Sequence, residues 1–148
     1  MLIRPSLDVP HVLRRSLEAF RAGDPVVVAE AFDTRARLVT QVDRKLARCL
    51  GIADVKGPLI AQGAVGIMKF YALEMTAFDI THLEVVSLMR AGRDVAAVCD
   101  WGIKLRGSGA TMNGTCHNIW TLDGAGRKVV DGRSVCKIIT PDWDHEIN

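Results

Sequence analysis

The feature that most constrains the fold is the stretch from Asp94 to Ile139, which reads as two successive β-hairpins. Three alternating segments, DVAAVCDWGIKL, TMNGTCHNIWTL and RKVVDGRSVCKII, are separated by the glycine-containing segments RGSGA and DGAG. Short segments of this kind between alternating runs are typical of hairpin turns. The sequence therefore predicts an antiparallel sheet here, and we expect the functional site on one of its faces.

The strand pairing decides which residues share a face, because side chains alternate across a strand. We expect Trp101 opposite Cys116, and Asn118 opposite Asp131. The first face then carries Cys99, Trp101, Cys116, Asn118, Trp120, Asp131 and Arg133. The second face carries Val98, Asp100, Thr115, His117, Ile119, Val130, Cys136 and Ile138. A turn miscounted by one residue would exchange the faces of the strand that follows it.

The composition limits the class of protein. A chain of 148 residues, 49% of them hydrophobic, predicts a single globular domain over residues 1–148. The net charge of +2 and the scattered basic residues argue against a nucleic-acid partner. No apolar run reaches the roughly 18 residues of a membrane span, and the start of the chain lacks the apolar core of a signal peptide.

The four cysteines, Cys49, Cys99, Cys116 and Cys136, show no CxxC spacing. Three of them lie in predicted strands, where a thiol behaves as a small buried hydrophobic group. A reactive thiol or a metal ligand is the alternative interpretation. We expect reduced, structural thiols, which together with the missing export signal predict a cytoplasmic location.

Helices are predicted before the hairpins. Asp8 is expected to cap a first helix that has Pro10 in its first turn, and Gly23 is expected to end it. Asp24 followed by Pro25 then starts a short second helix.

A first strand is predicted at 36–43. The segment 44–60 fits either an extension of this strand into a hairpin or a loop with a short helical turn, and its basic residues are expected to be solvated. A third helix, AVGIMKFYALEM, has Ile67, Phe70 or Tyr71, and Glu74 on successive turns. Another strand and the turn AGRD lead into the hairpins, and helices gathered beside an antiparallel sheet predict an α+β domain.

Three segments in this order resemble the NTF2-like (SnoaL-like, cystatin-like cone) superfamily: AFRAGDPVVVAEAF, QGAVGIMKFY and HNIWTLDGAG. The resemblance implies a curved, mostly antiparallel sheet wrapped around three helices of the N-terminal half, with a conical pocket. It also implies a homodimer that pairs through the outer sheet face. The superfamily holds isomerases, dehydratases, cyclases, epoxide hydrolases and non-catalytic modules, so the fold does not settle the function.

The positions of the catalytic groups of the ketosteroid-isomerase branch carry other residues in this chain. By spacing from AGD, Ser16 stands where that branch has its oxyanion-hole tyrosine, and Thr40 where it has its general base. Asn118 stands where it has a protonated aspartate as second donor. Asn118 can still donate a hydrogen bond to a carbonyl, but the missing base argues against the isomerase reaction.

The first face is expected to line a small-molecule pocket. Its ligand-binding candidates combine apolar walls with a few polar groups, together with a tyrosine of the third helix. They are Trp101, Asn118, Trp120, Arg133, Cys99 and Tyr71. Core packing is the alternative for Tyr71, whose hydroxyl would then need a partner.

Asp131 and His82 are the predicted catalytic pair. Extending the register through AGRD brings His82 and Glu84 to the first face, and partial burial would raise the pKa of a carboxyl there. Asn118 would serve as hydrogen-bond donor. A solvated pair of Asp131 and Arg133 at the rim of the sheet is the alternative.

On the second face, Asp100 and His117 are expected to be direct cross-strand neighbours, about 5.5 Å apart at Cβ. Such a pair is half of a proton-transfer dyad, and it is the fallback catalytic pair if the predicted register is wrong. A place on the outer sheet face, inside a dimer interface, is the favoured interpretation.

No GxxxxGK[ST], GxGxxG, HExxH or GxSxG motif occurs, so we expect neither a cofactor nor a metal. The sequence predicts a protein that binds a small apolar or amphipathic molecule. If it is an enzyme, it is expected to be a cofactor-free isomerase, dehydratase or cyclase. A non-catalytic ligand-binding or dimeric assembly module is the alternative. The tail TPDWDHEIN is expected to fray or to form a lid packed by Trp143.

Overall fold

The structure is a computed structural model that describes residues 7–139. The elements are, in order, α1 (His11–Ala22), α2 (Pro25–Glu30), β1 (Phe32–Val42), α3 (Arg44–Cys49), β2 (Leu59–Gln62), α4 (Gly63–Ala77), β3 (Phe78–Ala91), β4 (Asp94–Leu105), β5 (Thr111–Leu122) and β6 (Val129–Ile138). The predicted lid residue Trp143 lies outside the described residues.

The strands form one mixed sheet in the order β2-β1-β6-β5-β4-β3. Strands β3 to β6 are an antiparallel meander, β2 is antiparallel to β1, and β1 runs parallel to β6. Helices α1, α2 and α4 contact one another, and α1 and α4 contact the sheet. The predicted α+β fold, with a curved and mostly antiparallel sheet around helices, is confirmed.

The first two helices meet where the sequence predicts. Gly23 ends α1 with a φ of 78°, a left-handed conformation that residues with a Cβ rarely adopt. The Asp24 carboxylate accepts a hydrogen bond of 3.1 Å from the Val27 N–H and so caps α2. The predicted cap of α1 is wrong, because Pro10 is the residue at its N-cap and no side chain bonds to the helix there.

Both alternatives expected for the segment 44–60 occur. Asp43 Oδ1 accepts a hydrogen bond of 2.8 Å from the Leu46 N–H and caps α3, and β2 pairs with β1. Asp43 Oδ2 accepts a second bond, of 3.0 Å, from the Ile138 N–H on β6. One carboxylate therefore holds the start of α3 against the end of β6.

The pairing of β4 with β5 differs from the prediction without changing the faces. Trp101 lies opposite Gly114, and Cys99 lies opposite Cys116. The observed partner of Trp101 is two residues away from the predicted one. A shift by an even number of residues leaves every side chain on its predicted face. Cys99, Trp101 and Asn118 share the face that the sequence predicts for them.

The predicted pairing of Asn118 with Asp131 is wrong, because Asn118 lies opposite Ser134. The turn is longer than DGAG. The Asp123 carboxylate accepts a hydrogen bond of 2.8 Å from the Arg127 N–H, so the turn extends beyond the DGAG segment. Leu122 lies opposite Val129, two residues from its predicted partner, and a register shift between Thr121 and Leu122 adds a third residue. The total displacement of β6 is therefore odd, and an odd displacement exchanges the faces of a strand.

As a consequence, β6 presents the opposite side chains from those predicted. Ser134 and Cys136 face the helices, whereas Asp131 and Arg133 lie on the outer face, where the Arg133 Nε donates to Asp131 Oδ2 at 3.3 Å. This rim pair is the alternative that the sequence left open.

An irregularity in strand β3 moves His82 and Glu84 off the first face. The register shifts between Val85 and Ser87, so that Glu84 lies opposite Asp100 and His82 opposite Gly102. A β-bulge inserts one residue and reverses the alternation beyond it. The prediction that His82 and Glu84 face the helices is wrong for this reason.

Cys116 and Cys136 form a disulfide between directly opposed positions of β5 and β6, with Cα atoms 4.2 Å apart. The expectation of reduced thiols is wrong for these two residues, because spacing along the chain does not reveal cross-strand neighbours. The argument from reduced thiols for a cytoplasmic location falls with it. Among residues 7–139, no helix is long and apolar enough to cross a membrane.

Candidate functional site

A cavity of about 140 Å³ lies between the sheet and the helices. Helices α1, α3 and α4 contribute Leu17, Phe20, Leu46, Leu50, Phe70, Tyr71 and Glu74. The sheet contributes Leu38, Thr40, Val42, Phe78, Ile80, Leu83, Cys99, Trp101, Ile103, Cys116, Asn118, Trp120, Arg133, Ser134 and Cys136. A space of this size admits a small organic molecule.

Aromatic side chains are concentrated around the cavity. The chain has eight aromatic residues, from four Phe, three Trp and one Tyr, and six of them line this space. They are Phe20, Phe70, Tyr71, Phe78, Trp101 and Trp120. The walls therefore offer large aromatic, mostly apolar surfaces with few hydrogen-bonding groups.

Glu74 on α4 is the acidic residue of the cavity. Burial raises the pKa of Glu74 from 4.5 to about 8, because the surrounding apolar groups displace the water that would solvate a carboxylate. Among residues 7–139, no hydrogen bond or ion pair engages its carboxyl group. This carboxyl is therefore mostly protonated at neutral pH.

Tyr71 lies one helical turn before Glu74. Its ring packs edge-on against Phe20 and Phe70, with ring centroids 5.4 and 5.3 Å away. Burial, followed by the negative charge of Glu74, raises the pKa of Tyr71. The hydroxyl therefore remains protonated.

The sheet side of the cavity carries a small polar group of residues. Asn118 Nδ2 donates to the Cys116 carbonyl oxygen at 3.3 Å and lies 3.6 Å from Cys99 Sγ. Burial, with a smaller contribution from the Asp100 carboxylate, raises the pKa of Cys99 to about 12. Cys99 is thus a thiol rather than a nucleophilic thiolate at neutral pH.

Strands β1 and β6 add two hydroxyls to the lining. Ser134 Oγ donates to Thr40 Oγ1 at 3.1 Å across the parallel pair. Thr40 lines the cavity at the position where the isomerase branch has its base, but a hydroxyl group is too weakly basic to accept a proton near neutral pH. Ser16, at the tyrosine position, donates to the Val28 carbonyl oxygen at 3.1 Å and lines a smaller space of about 40 Å³ next to the cavity.

Trp101 is 7% exposed, and its indole covers Gly114 on the neighbouring strand. Among the described residues, its Nε1–H has no hydrogen-bond acceptor. A buried donor without a partner costs about 1–3 kcal/mol. Other interactions in the fold therefore offset the cost of the unpaired indole N–H.

Five of the six predicted ligand-binding residues line the cavity together: Trp101, Asn118, Trp120, Cys99 and Tyr71. Arg133 borders it, but its side chain is 70% exposed and bonds to Asp131. The predicted catalytic pair is not in the cavity. Asp131 lies on the outer face, and the His82 side chain is 51% exposed, with its Nε2 4.0 Å from Glu84.

The fallback pair also lies outside the cavity, on the outer face of the sheet. The prediction that Asp100 and His117 are direct neighbours is wrong, because Asp100 is opposite Thr115 and His117 is opposite Val98. Their expected place on the outer face is as predicted.

Glu74 was missed as a site residue, although the sequence carries a signal for it. It continues the stripe of Ile67 and Phe70 or Tyr71 on α4, and Ile67 is fully buried. A carboxyl at a core position of a helix is expensive unless it has a role, so it is a functional candidate. Among residues 7–139, no group of three or more His, Cys, Asp or Glu side chains could hold a metal ion.

No protein-family model and no curated protein matches the sequence. Solved structures do match. A Catenulispora acidiphila protein with a ketosteroid isomerase-like fold, in complex with trimethylamine, has a TM-score of 0.67 at 12% identity, over 86% of this chain and 85% of that one. An NTF2-like protein of unknown function from Burkholderia pseudomallei has a TM-score of 0.64 at 15% identity, over 83% and 86%.

A Mesorhizobium loti protein described as a SnoaL-like polyketide cyclase has a TM-score of 0.58 at 12% identity, over 86% of this chain and 98% of that one. At these identities the similarity concerns the fold and not the reaction.

Proposed function

The chain has the NTF2-like fold, and we propose that its cavity binds a small, largely apolar molecule. The observation that carries this proposal is the unpartnered Glu74 carboxyl among six aromatic side chains. An apolar space with a few polar groups is what a small-molecule site requires. A complex between the similar Catenulispora acidiphila protein and trimethylamine supports a ligand of small size.

Each group has a role in this proposal. Trp101, Trp120 and Phe70 supply apolar contact area. Asn118 orients a polar atom of the ligand, since its amide already donates to the Cys116 carbonyl and its oxygen remains available as an acceptor. Glu74 gives or takes a proton.

If the protein turns its ligand over, Glu74 is the acid or base. With a pKa of about 8, its carboxylate is a stronger base than an ordinary glutamate, and its acid form persists at neutral pH. The chemistry is then cofactor-free proton transfer, as in an isomerase, dehydratase or cyclase. Asp131 and His82 have no part in it, because neither reaches the cavity.

Cyclohexanone in D₂O tests binding and proton transfer in one experiment. Binding should shift backbone amide resonances of cavity residues such as Cys99 and Asn118 in a saturable way. Proton NMR should show loss of the α-proton signals of the ketone faster than in buffer, and Glu74→Gln should return this rate to the buffer value.

The outcomes separate the two parts of the proposal. Saturable resonance shifts without exchange of the α-protons would support the binding site and contradict the catalytic role of Glu74. Shifts confined to the outer sheet face, or no shifts at all, would contradict the site itself.

The outer face of the sheet supports a second proposal, a homodimer. On β3, β5 and β6 the exposed apolar side chains there include Met89 at 71%, Ile119 at 49% and Val135 at 38%. Together with Val98 they form an apolar patch across β3 to β6, interrupted by His117 and Arg133, which we call the outer patch. Exposed apolar groups gathered on one face favour association through that face. A protein whose function lay in this patch would be an assembly module instead of an enzyme.

A further inference from the structure

The charges around the cavity restrict the ligand. Glu74 is the one acidic residue among the described lining residues, and Arg133 is the one basic residue. The Arg133 guanidinium points away, since its side chain is 70% exposed and bonds to Asp131 at 3.3 Å. The interior is therefore neutral or negative, according to the protonation of Glu74. An anionic ligand would meet no positive group and would lose its hydration, which argues against carboxylates and phosphates.

The aromatic walls favour a positive ligand over a neutral one. A cation is attracted to the negative face of an aromatic ring, most strongly when water is excluded. Six of the eight aromatic residues of the chain surround this one space.

The carboxyl of Glu74 gives the second, independent reason. It has no partner among residues 7–139. A buried carboxyl without a partner is costly in its ionised form, and a cation beside it removes that cost. We propose that the cavity takes a small alkylammonium ion, whose charge pairs with the Glu74 carboxylate among the aromatic rings. This inference rests on the proposed function, because it names the class of ligand for the same site.

The proton balance follows from the chemistry of the two partners. When an alkylammonium ion enters, the Glu74 proton leaves to solvent and the carboxylate pairs with the cation. When an uncharged amine enters, the proton moves from a Glu74 oxygen to the amine nitrogen, and none is released. The other titratable groups that line the cavity, Tyr71 on α4 and Cys99 on β4, stay neutral in both cases.

Choline and 3,3-dimethylbutan-1-ol test the proposal, because they share one shape and differ only in the charge. Calorimetric titration at neutral pH should give a Kd for choline about tenfold lower than for the alcohol. In Glu74→Gln this preference should become smaller, because the attraction of the aromatic rings remains and the carboxylate is gone. Repeating the choline titration in two buffers of different ionisation enthalpy should show release of a proton in the wild type and none in Glu74→Gln.

Three other outcomes would contradict the cation proposal, and one of them would also contradict the proposed function. Equal or tighter binding of the alcohol in the wild type would overturn the cation proposal and leave the apolar binding site. A choline preference of undiminished size in Glu74→Gln would also overturn it, because Glu74 would not be the partner. Binding of neither compound would contradict both the inference and the proposed function.

Discussion

The indole of Trp101 covers the backbone of Gly114 on the neighbouring strand, so closely that a Cβ on Gly114 would lie 2.5 Å from Trp101 Cε2. The same Cβ would overlap the Lys137 carbonyl oxygen, which belongs to the sheet and cannot move aside. Trp101 can therefore occupy its position in the cavity wall only because residue 114, on the neighbouring strand, is a glycine.

Gly114→Ala should lower the free energy of unfolding by about 3 kcal/mol, because an inserted methyl group displaces packed atoms. Gly66→Ala on α4 is the matched control, since a Cβ there meets no atom within 4 Å. It should raise the free energy of unfolding by about 0.5–1 kcal/mol through helix propensity. Urea denaturation of both variants measures this, and equal effects would contradict the close approach of Trp101.

Glu74 should make stability depend on pH. Its pKa rises from 4.5 to about 8 on folding, so the folded protein keeps a proton that the unfolded chain has released. The free energy of unfolding should therefore fall as the pH rises from 4.5 through 8. The free energy of unfolding can change by at most about 1.4 kcal/mol per pH unit for one titrating group. Water that enters the cavity makes the change smaller.

The control for this prediction is Glu74→Gln, which keeps the shape and removes the titration. The difference between wild type and variant, measured by urea denaturation between pH 5 and 9, should favour the variant increasingly toward high pH. Contributions from the rest of the chain are common to both proteins and cancel in this difference. A difference independent of pH would mean that Glu74 is solvated.

The disulfide between Cys116 and Cys136 closes a loop with a sequence separation of 20. Loop closure of this length stabilises a folded chain by about 3 kcal/mol. Cys136→Ala should lose that amount in non-reducing buffer, and dithiothreitol should lower the Tm of the wild type but not of the variant. Peptide mapping without reduction should recover the two cysteines linked; two unlinked thiols would contradict the cross-strand pair.

The outer patch should control association if the protein is a dimer. Ile119→Lys places a charge in the middle of the patch and should weaken dimerisation by about 2 kcal/mol or more, as for a central interface residue. Leu73→Lys is the control, because Leu73 is 71% exposed on α4, away from the sheet face. Sedimentation velocity measures both variants. Equal effects, or a monomeric wild type, would contradict association through this face.

The sequence predicts the strands and helices well, because alternation and turn residues are local signals. Gly23 and Asp24 mark a helix boundary by their own chemistry, and the observed boundary follows them. The faces of β3 and β6 could not be predicted in the same way. They depend on a bulge next to Val85 in β3 and on a register shift between Thr121 and Leu122 beside the last turn, and neither is visible in a hydrophobic pattern.

The site was only partly predictable for the same reason. Trp101, Trp120 and Asn118 lie on strands whose parity was predicted correctly, and they line the cavity. Asp131 and His82 lie beyond the irregular positions and face outward. Glu74 could have been found, since it occupies a core position in the apolar stripe of α4.

The central claim is that the Glu74 carboxyl lies in a water-poor cavity and keeps its proton at neutral pH. Carbon-13 NMR of the side-chain carboxyl groups tests it most directly, with the Glu74 resonance assigned by its absence in Glu74→Gln. The account predicts a titration midpoint near pH 8, whereas a midpoint near pH 4.5 would place this carboxyl in water and contradict the site.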